Sequence, residues 1–192
     1  MVRTWRDVIF SARDYGSNGS VLLMISCLIG LFAIYISFQV VTSDPVNPFT
    51  IVVYSLLIFG LVFIYHALTM IGFRINRPGI GGGIILSIVF TVISLFIAIL
   101  SGTGFSSVFA EMIRYFLGIV VGAGFLWSYH KMYILTCQND FIYSGLLFLI
   151  GFIIPFIGVV FTLVATIVSY GVWYSLSSNR RFKHILIFRL DH

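Results

Sequence analysis

Charge is what this sequence has least of. Only 9% of its 192 residues are Asp, Glu, Lys or Arg, against roughly 25% in a soluble globular domain, which excludes a soluble domain. Asp and Glu together number six, leaving little room for paired carboxylates. No Ser-His-Asp set, HExxH or phosphate-binding glycine loop is present. The chain is therefore expected to be no enzyme, with no catalytic residues, no metal site and no cofactor. Two cysteines, Cys27 and Cys137, are too few and too far apart for a disulfide framework or a metal knuckle. Cys27 reads as a small apolar residue in a span. Nothing resembles a cleavable leader, because the first apolar run starts near Ser20 and lasts a full span without a small-residue cleavage site. That run is expected to stay as an uncleaved anchor.

Apolar residues are what the sequence does have. They make up 60% of the chain, and the mean hydropathy is +1.10. This length accommodates five or six membrane spans with short loops and no sizeable extramembrane domain. The most informative run is 141–177, with 37 residues and no Asp, Glu, Lys, Arg or His. As one helix it would be about 55 Å long, against about 30 Å of hydrocarbon. That is too long for one crossing and just enough for two tight ones. Pro155, between Gly151 and Gly158, marks the expected hairpin turn, because proline lacks the N–H and crowds the preceding turn.

In chain order, residues 1–19 form an amphipathic cytoplasmic segment. Val2, Trp5, Ile9 and Ala12 share one helical face, opposite Arg3, Arg6 and Arg13, as in a helix lying among headgroups. A solvated tail is the alternative. Gly16-Ser17-Asn18-Gly19 is expected to break that helix, with Ser20 as the N-cap of span 1. Span 1 covers about 20–41, span 2 about 49–73, span 3 about 79–100 and span 4 about 108–129. A turn rich in Pro and Asn, 42–48, joins the first two, and Ser101-Gly102-Thr103-Gly104 joins spans 3 and 4. Asp140 suits the start of the helix after span 4. The transmembrane bundle thus occupies 20–177, and 178–192 form a basic amphipathic cytoplasmic tail.

Charge counting orients the chain. With 141–177 folded back, one side receives Arg3, Arg6, Arg13, Arg74, Arg77, Lys131, Arg180, Arg181, Lys183 and Arg189, ten of the eleven basic residues. A single crossing would send the tail's four to the other face. The expected fold is an all-α polytopic transmembrane bundle of about six segments, the last two a tight hairpin, with both termini in the cytoplasm and the chain in the cell membrane. The basic residues lie at span ends, where they meet anionic headgroups, so the net charge of +5 does not point to nucleic acid.

Few residues offer chemistry. Glu111 and Arg114 lie three apart on one face of span 4. They form either a functional intramembrane ion pair or an interfacial pair with Arg114 snorkelling outward. His66 and His130 fall near the inner ends of spans 2 and 4, where two imidazoles at one depth could ligate a haem or border a quinone. The plainer reading is a pair of boundary histidines in an interfacial belt with Tyr65, Trp127, Tyr129 and Tyr133. His184 and His192 add no metal-ligand spacing. Gly79 and Gly83, Gly118 and Gly122, and the series Gly158, Thr162 and Thr166 recur every four residues, the spacing that lets helix backbones approach closely in lipid. They serve packing within the bundle or docking to a partner. Asn47-Pro48-Phe49 and Ser101–Phe105 superficially match channel signatures and read as turns.

The segment Lys131–Asn179 has a basic end to span 4, then the linker Leu135-Thr136-Cys137-Gln138-Asn139-Asp140, Phe141, and Gly145-Leu146-Leu147-Phe148-Leu149-Ile150-Gly151. A second apolar half follows with Gly158, Trp173 and Ser175-Leu176. This resembles the C-terminal hairpin of a family of small, mostly archaeal multi-pass membrane proteins of unknown function. Cys137 stands where that family usually has glycine. The resemblance implies an archaeal plasma membrane and assigns no site residue.

The expected role is a structural or accessory subunit, or scaffold, of a larger membrane assembly. Its partners would be the lipid bilayer and other membrane subunits or further copies of itself. A small transporter or channel is the alternative, and a haem or quinone redox subunit the third.

Overall fold

The computed structural model describes residues 4–39, 48–101, 107–154, 157–179 and 182, without the side chains at 34, 36–39, 48, 101 and 107–111. Its regular structure is all helical, with no strand among the described residues. The helices are α1 (Trp5–Gln39), α2 (Pro48–Arg74), α3 (Gly82–Ser101), α4 (Ser107–Thr136), α5 (Asn139–Ile153) and α6 (Gly158–Ser175), with single 3-10 turns at Pro78–Gly81 and Leu176–Ser178. Five helices are long and apolar enough to cross a membrane, and α5 is the shorter sixth. At 15 residues it extends only about 22 Å. A molecule that presents Phe59, Phe96, Phe116 and Ile157 outward, each more than half exposed, needs lipid to cover them.

Each helix packs on its neighbour in chain order, and α6 returns to α1, closing a ring. Contacts that run in opposite chain directions make successive pairs antiparallel. The Ser144 hydroxyl of α5 donates to the Ala165 carbonyl of α6 at 2.9 Å, and the Gln138 side-chain amide before α5 donates to Ser175 at 3.1 Å. Residues 139–175 therefore double back, as the length and missing charge of 141–177 indicate. The break falls between Ile153 and Gly158; Pro155 itself lies outside the described residues. At this end of the hairpin Gly158 packs backbone to backbone on Gly151, so closely that a Cβ on either glycine would overlap its neighbour.

The helix expected to break at Gly16–Gly19 does not break. α1 runs unbroken from Trp5 to Gln39, and Ser20 lies inside it rather than at a cap. In this helix the two glycines serve packing. A Cβ on Gly16 would overlap the Trp173 ring of α6, and one on Gly19 would meet the Gly60 carbonyl of α2 at 2.7 Å. Glycine in a helix costs about 1 kcal/mol against alanine. Close packing on two flanks offsets that cost, and lipid makes an unwound backbone far more expensive. The face carrying Ile9 and Ala12, expected to lie on the membrane surface, is buried in the protein.

α4 is also longer than expected. It continues through His130-Lys131 to Thr136 and ends where Cys137, at φ 52, turns the chain left-handed. α5 begins at Asn139 with Asp140 in its first turn, close to where the sequence places its start. Asn179 then donates to the Thr136 carbonyl at 3.0 Å. The antiparallel order puts Arg6 and Arg13 at the same end of the ring as Arg74, Arg77 and Lys131, and Asn179 joins them. This is the basic end. Of the expected turns 42–48 and 101–104, Pro48 begins α2 and Ser101 ends α3; residues 42–47 and 102–104, and residues 180, 181 and 183–192 of the expected tail, lie outside the described residues.

Candidate functional site

The ring interior divides into a filled half near the basic end and a hollow half beyond it. The filled half is aromatic. Phe125 of α4 stacks on Phe148 of α5, with ring centroids 4.0 Å apart. Tyr129 meets Phe141 edge-on at 5.5 Å, and Phe141 meets Trp173 edge-on at 5.3 Å. All five rings are fully buried. Such offset and edge contacts contribute about 0.5–1.5 kcal/mol each beyond area burial.

A chain of hydroxyls threads this core, and elementary proton counting fixes its direction. Ser20 must donate to the Gly16 carbonyl, at 2.9 Å, because a carbonyl only accepts. The hydroxyl of Ser20 has a single proton, so it accepts from Ser169 at 2.8 Å. The Ser169 proton is then used, so Ser169 accepts from the Tyr129 hydroxyl at 2.6 Å. Tyr129 in turn accepts the indole N–H of Trp173 at 3.2 Å. One directed series of bonds thus ties α6, α4 and α1 together and satisfies every hydroxyl in it. Tyr129, assigned by sequence to the interfacial belt, is the centre of the core instead. The signal that could have found it is the series Val121, Phe125, Tyr129, Met132 and Thr136, spaced every three or four residues along α4 and buried throughout. Trp127, by contrast, is 60% exposed.

The hollow half holds a cavity of about 300 Å³, lined by Ser26, Cys27, Tyr54, Phe152 and Thr162 among others. Its hydroxyls are largely engaged with backbone. Ser26 donates to the Val53 carbonyl and Thr162 to the Gly158 carbonyl, both at 2.9 Å. Arg114 of α4 does not line the cavity; it interacts electrostatically with Tyr54 of α2, which does, and it is not an unpaired charge. Glu111 shares the helix, but its side chain lies outside the described residues, and so does the geometry of the expected ion pair.

The two histidines keep separate company. His66 is exposed and sits edge-on to Tyr15 of α1 at 4.5 Å. His130 is exposed and lies near-parallel to Tyr133 of its own helix at 6.3 Å. Each is placed on the outside of the ring rather than facing a shared pocket. Among the described residues no three His, Cys, Asp or Glu side chains gather as a metal site would require.

The small residues face inward. Gly118 and Gly122 receive Phe152 and Leu149 of α5, and Gly83 packs on the Gly124 carbonyl of α4. Gly79 lies in the loop ahead of α3, where its carbonyl accepts from Lys131. Thr162 and Thr166 are buried within the ring. The spacing thus serves packing within this bundle. No family model, no curated protein and no solved structure matches the chain. What fold and composition define is a multi-helix membrane protein.

Proposed function

We propose that the chain is a non-catalytic scaffold or accessory subunit of a membrane assembly, with both termini in the cytoplasm of a cell membrane. The observation that carries this reading is the aromatic core, in which Phe125 and Tyr129 of α4, Phe141 and Phe148 of α5 and Trp173 of α6 pack together, fully buried. A ring braced in that way holds a fixed shape. Its apolar exterior, including Phe59, Phe96 and Phe116, offers lipid and neighbouring helices a continuous surface. The partners are other membrane subunits or further copies of the chain. Extraction from native membrane in mild detergent should retain a companion at fixed stoichiometry. A monomer alone, with no such companion under several detergents, overturns the reading.

A second reading, a small transporter, is favoured by the cavity, one of whose lining residues, Tyr54, interacts electrostatically with Arg114. A cation on a spanning helix whose field reaches a cavity wall suits an anionic solute. Proteoliposome flux of chloride or a small carboxylate that falls with Arg114→Gln or Glu111→Gln would support it. Absence of flux in the wild type would remove it.

A further inference from the structure

A second hollow, of about 180 Å³, opens at the basic end between the α2–α3 connection and α4, lined by Arg77, Gly79, Ile80, Lys131, Ile134 and Leu135. Its polar and apolar parts are separated. Ile80 and Leu135 form a buried floor, 3% and 7% exposed, while Arg77 and Lys131 supply the charge, and no acid lines it. Asp140, the described acid nearest Lys131 in sequence, belongs to α5, on the other flank of α4.

Lys131 is held in place, and the backbone that carries Arg77 is shaped, by features the local sequence dictates. Lys131 donates to the Gly79 carbonyl at 2.7 Å and lies over the Trp127 ring at 5.1 Å. An ammonium has three donors, so two remain. The Arg77 amide closes onto the Gly72 carbonyl at 2.7 Å, and the Arg77 carbonyl accepts the Ile80 amide at 3.4 Å. Asn76 turns left-handed before it, at φ 55, and Pro78 fixes the residue after. The loop is therefore pre-shaped, and little ordering is needed when a ligand arrives.

We propose that this pocket seats the phosphate of an anionic phospholipid headgroup between Arg77 and Lys131, with the lipid's apolar portion against Trp127 and Ile134. Trp127 and Ile134 are 60% and 52% exposed and share the α4 face that carries Lys131. Two cations over an apolar floor at the membrane boundary match that amphiphile; a soluble anion would leave the apolar wall uncovered. The inference stands independently of the scaffold and transporter readings.

The test is native mass spectrometry of the full chain in mild detergent, titrated with dioleoylphosphatidylglycerol, with dioleoylphosphatidylcholine, and with inorganic phosphate. The wild type should retain the phosphatidylglycerol in preference to the phosphatidylcholine. Each of Arg77→Gln and Lys131→Gln should weaken retention roughly fivefold, and both together about 25-fold. Arg77→Gln is decisive on its own, because the Arg77 side chain has no described hydrogen bond whose loss could unfold the loop; an unchanged melting midpoint confirms that. Equal retention of the two lipids overturns the proposal. So does an equal loss in an Arg6→Gln, Arg13→Gln control, which would indicate general surface charge. Displacement of the lipid by millimolar phosphate alone would assign the site to a soluble anion instead.

Discussion

Cys137 ends α4 in the left-handed conformation, at φ 52. An L side chain there costs about 1–2 kcal/mol, while glycine adopts it freely at some entropic expense in the unfolded chain. Cys137→Gly should therefore raise stability by roughly 0.5–1 kcal/mol, read as a higher melting midpoint in detergent; a lower midpoint would mean the thiol has a packing role. The hydroxyl series supplies a second expectation at this scale. Ser169→Ala strands the Tyr129 proton in a dry core and should cost about 1–3 kcal/mol. The Ser20→Ala, Ser169→Ala pair should cost clearly less than the sum of its singles, because the two hydroxyls share one chain. Strict additivity would contradict the directed series. Little of this was legible beforehand. Tyr129 sits beside Trp127, His130 and Lys131, all of which are proper to a membrane boundary, and only its register with Phe125 and Met132 turns it inward.

At the scale of elements, the hairpin was readable and α1 was not. A stretch of 37 uncharged residues is too long for one crossing, so chain length alone forces a fold-back near Pro155. Gly16 and Gly19 mislead because the same residue that breaks a soluble helix allows close approach between membrane helices. The two uses predict different mutants. Gly16→Leu and Gly19→Leu should undock α1 from α6 and α2, costing about 1–3 kcal/mol or more by overpacking. Gly171→Leu, where a Cβ meets nothing within 4 Å, should leave stability near wild type. Thermal melts of the three side by side decide the matter; equal tolerance would show that α1 does not pack as described.

At the scale of the whole molecule, the ring was only half visible in the sequence. Its polarity was readable, because the basic residues alternate by connection. Five of the described ones, Arg6, Arg13, Arg74, Arg77 and Lys131, gather at one end, and the sixth, Arg114, lies in the first third of α4, away from it. Its closure, α6 against α1, was not readable. The spans are apolar on nearly every side, so hydrophobic periodicity carries no signal of inside and outside. What points inward is small residues and hydroxyls, and their partners become known only in three dimensions. The hollow lined by Tyr54 and Thr162 follows from the same limit, since nothing in the sequence says where packing stops.

All of this depends on α6 running back toward the end where α1 begins. Fusing a fluorescent protein and, separately, an alkaline phosphatase before Met1 and after His192 tests it most directly. The account predicts fluorescence and no phosphatase activity at both positions. An active phosphatase after His192, with fluorescence retained before Met1, would contradict it.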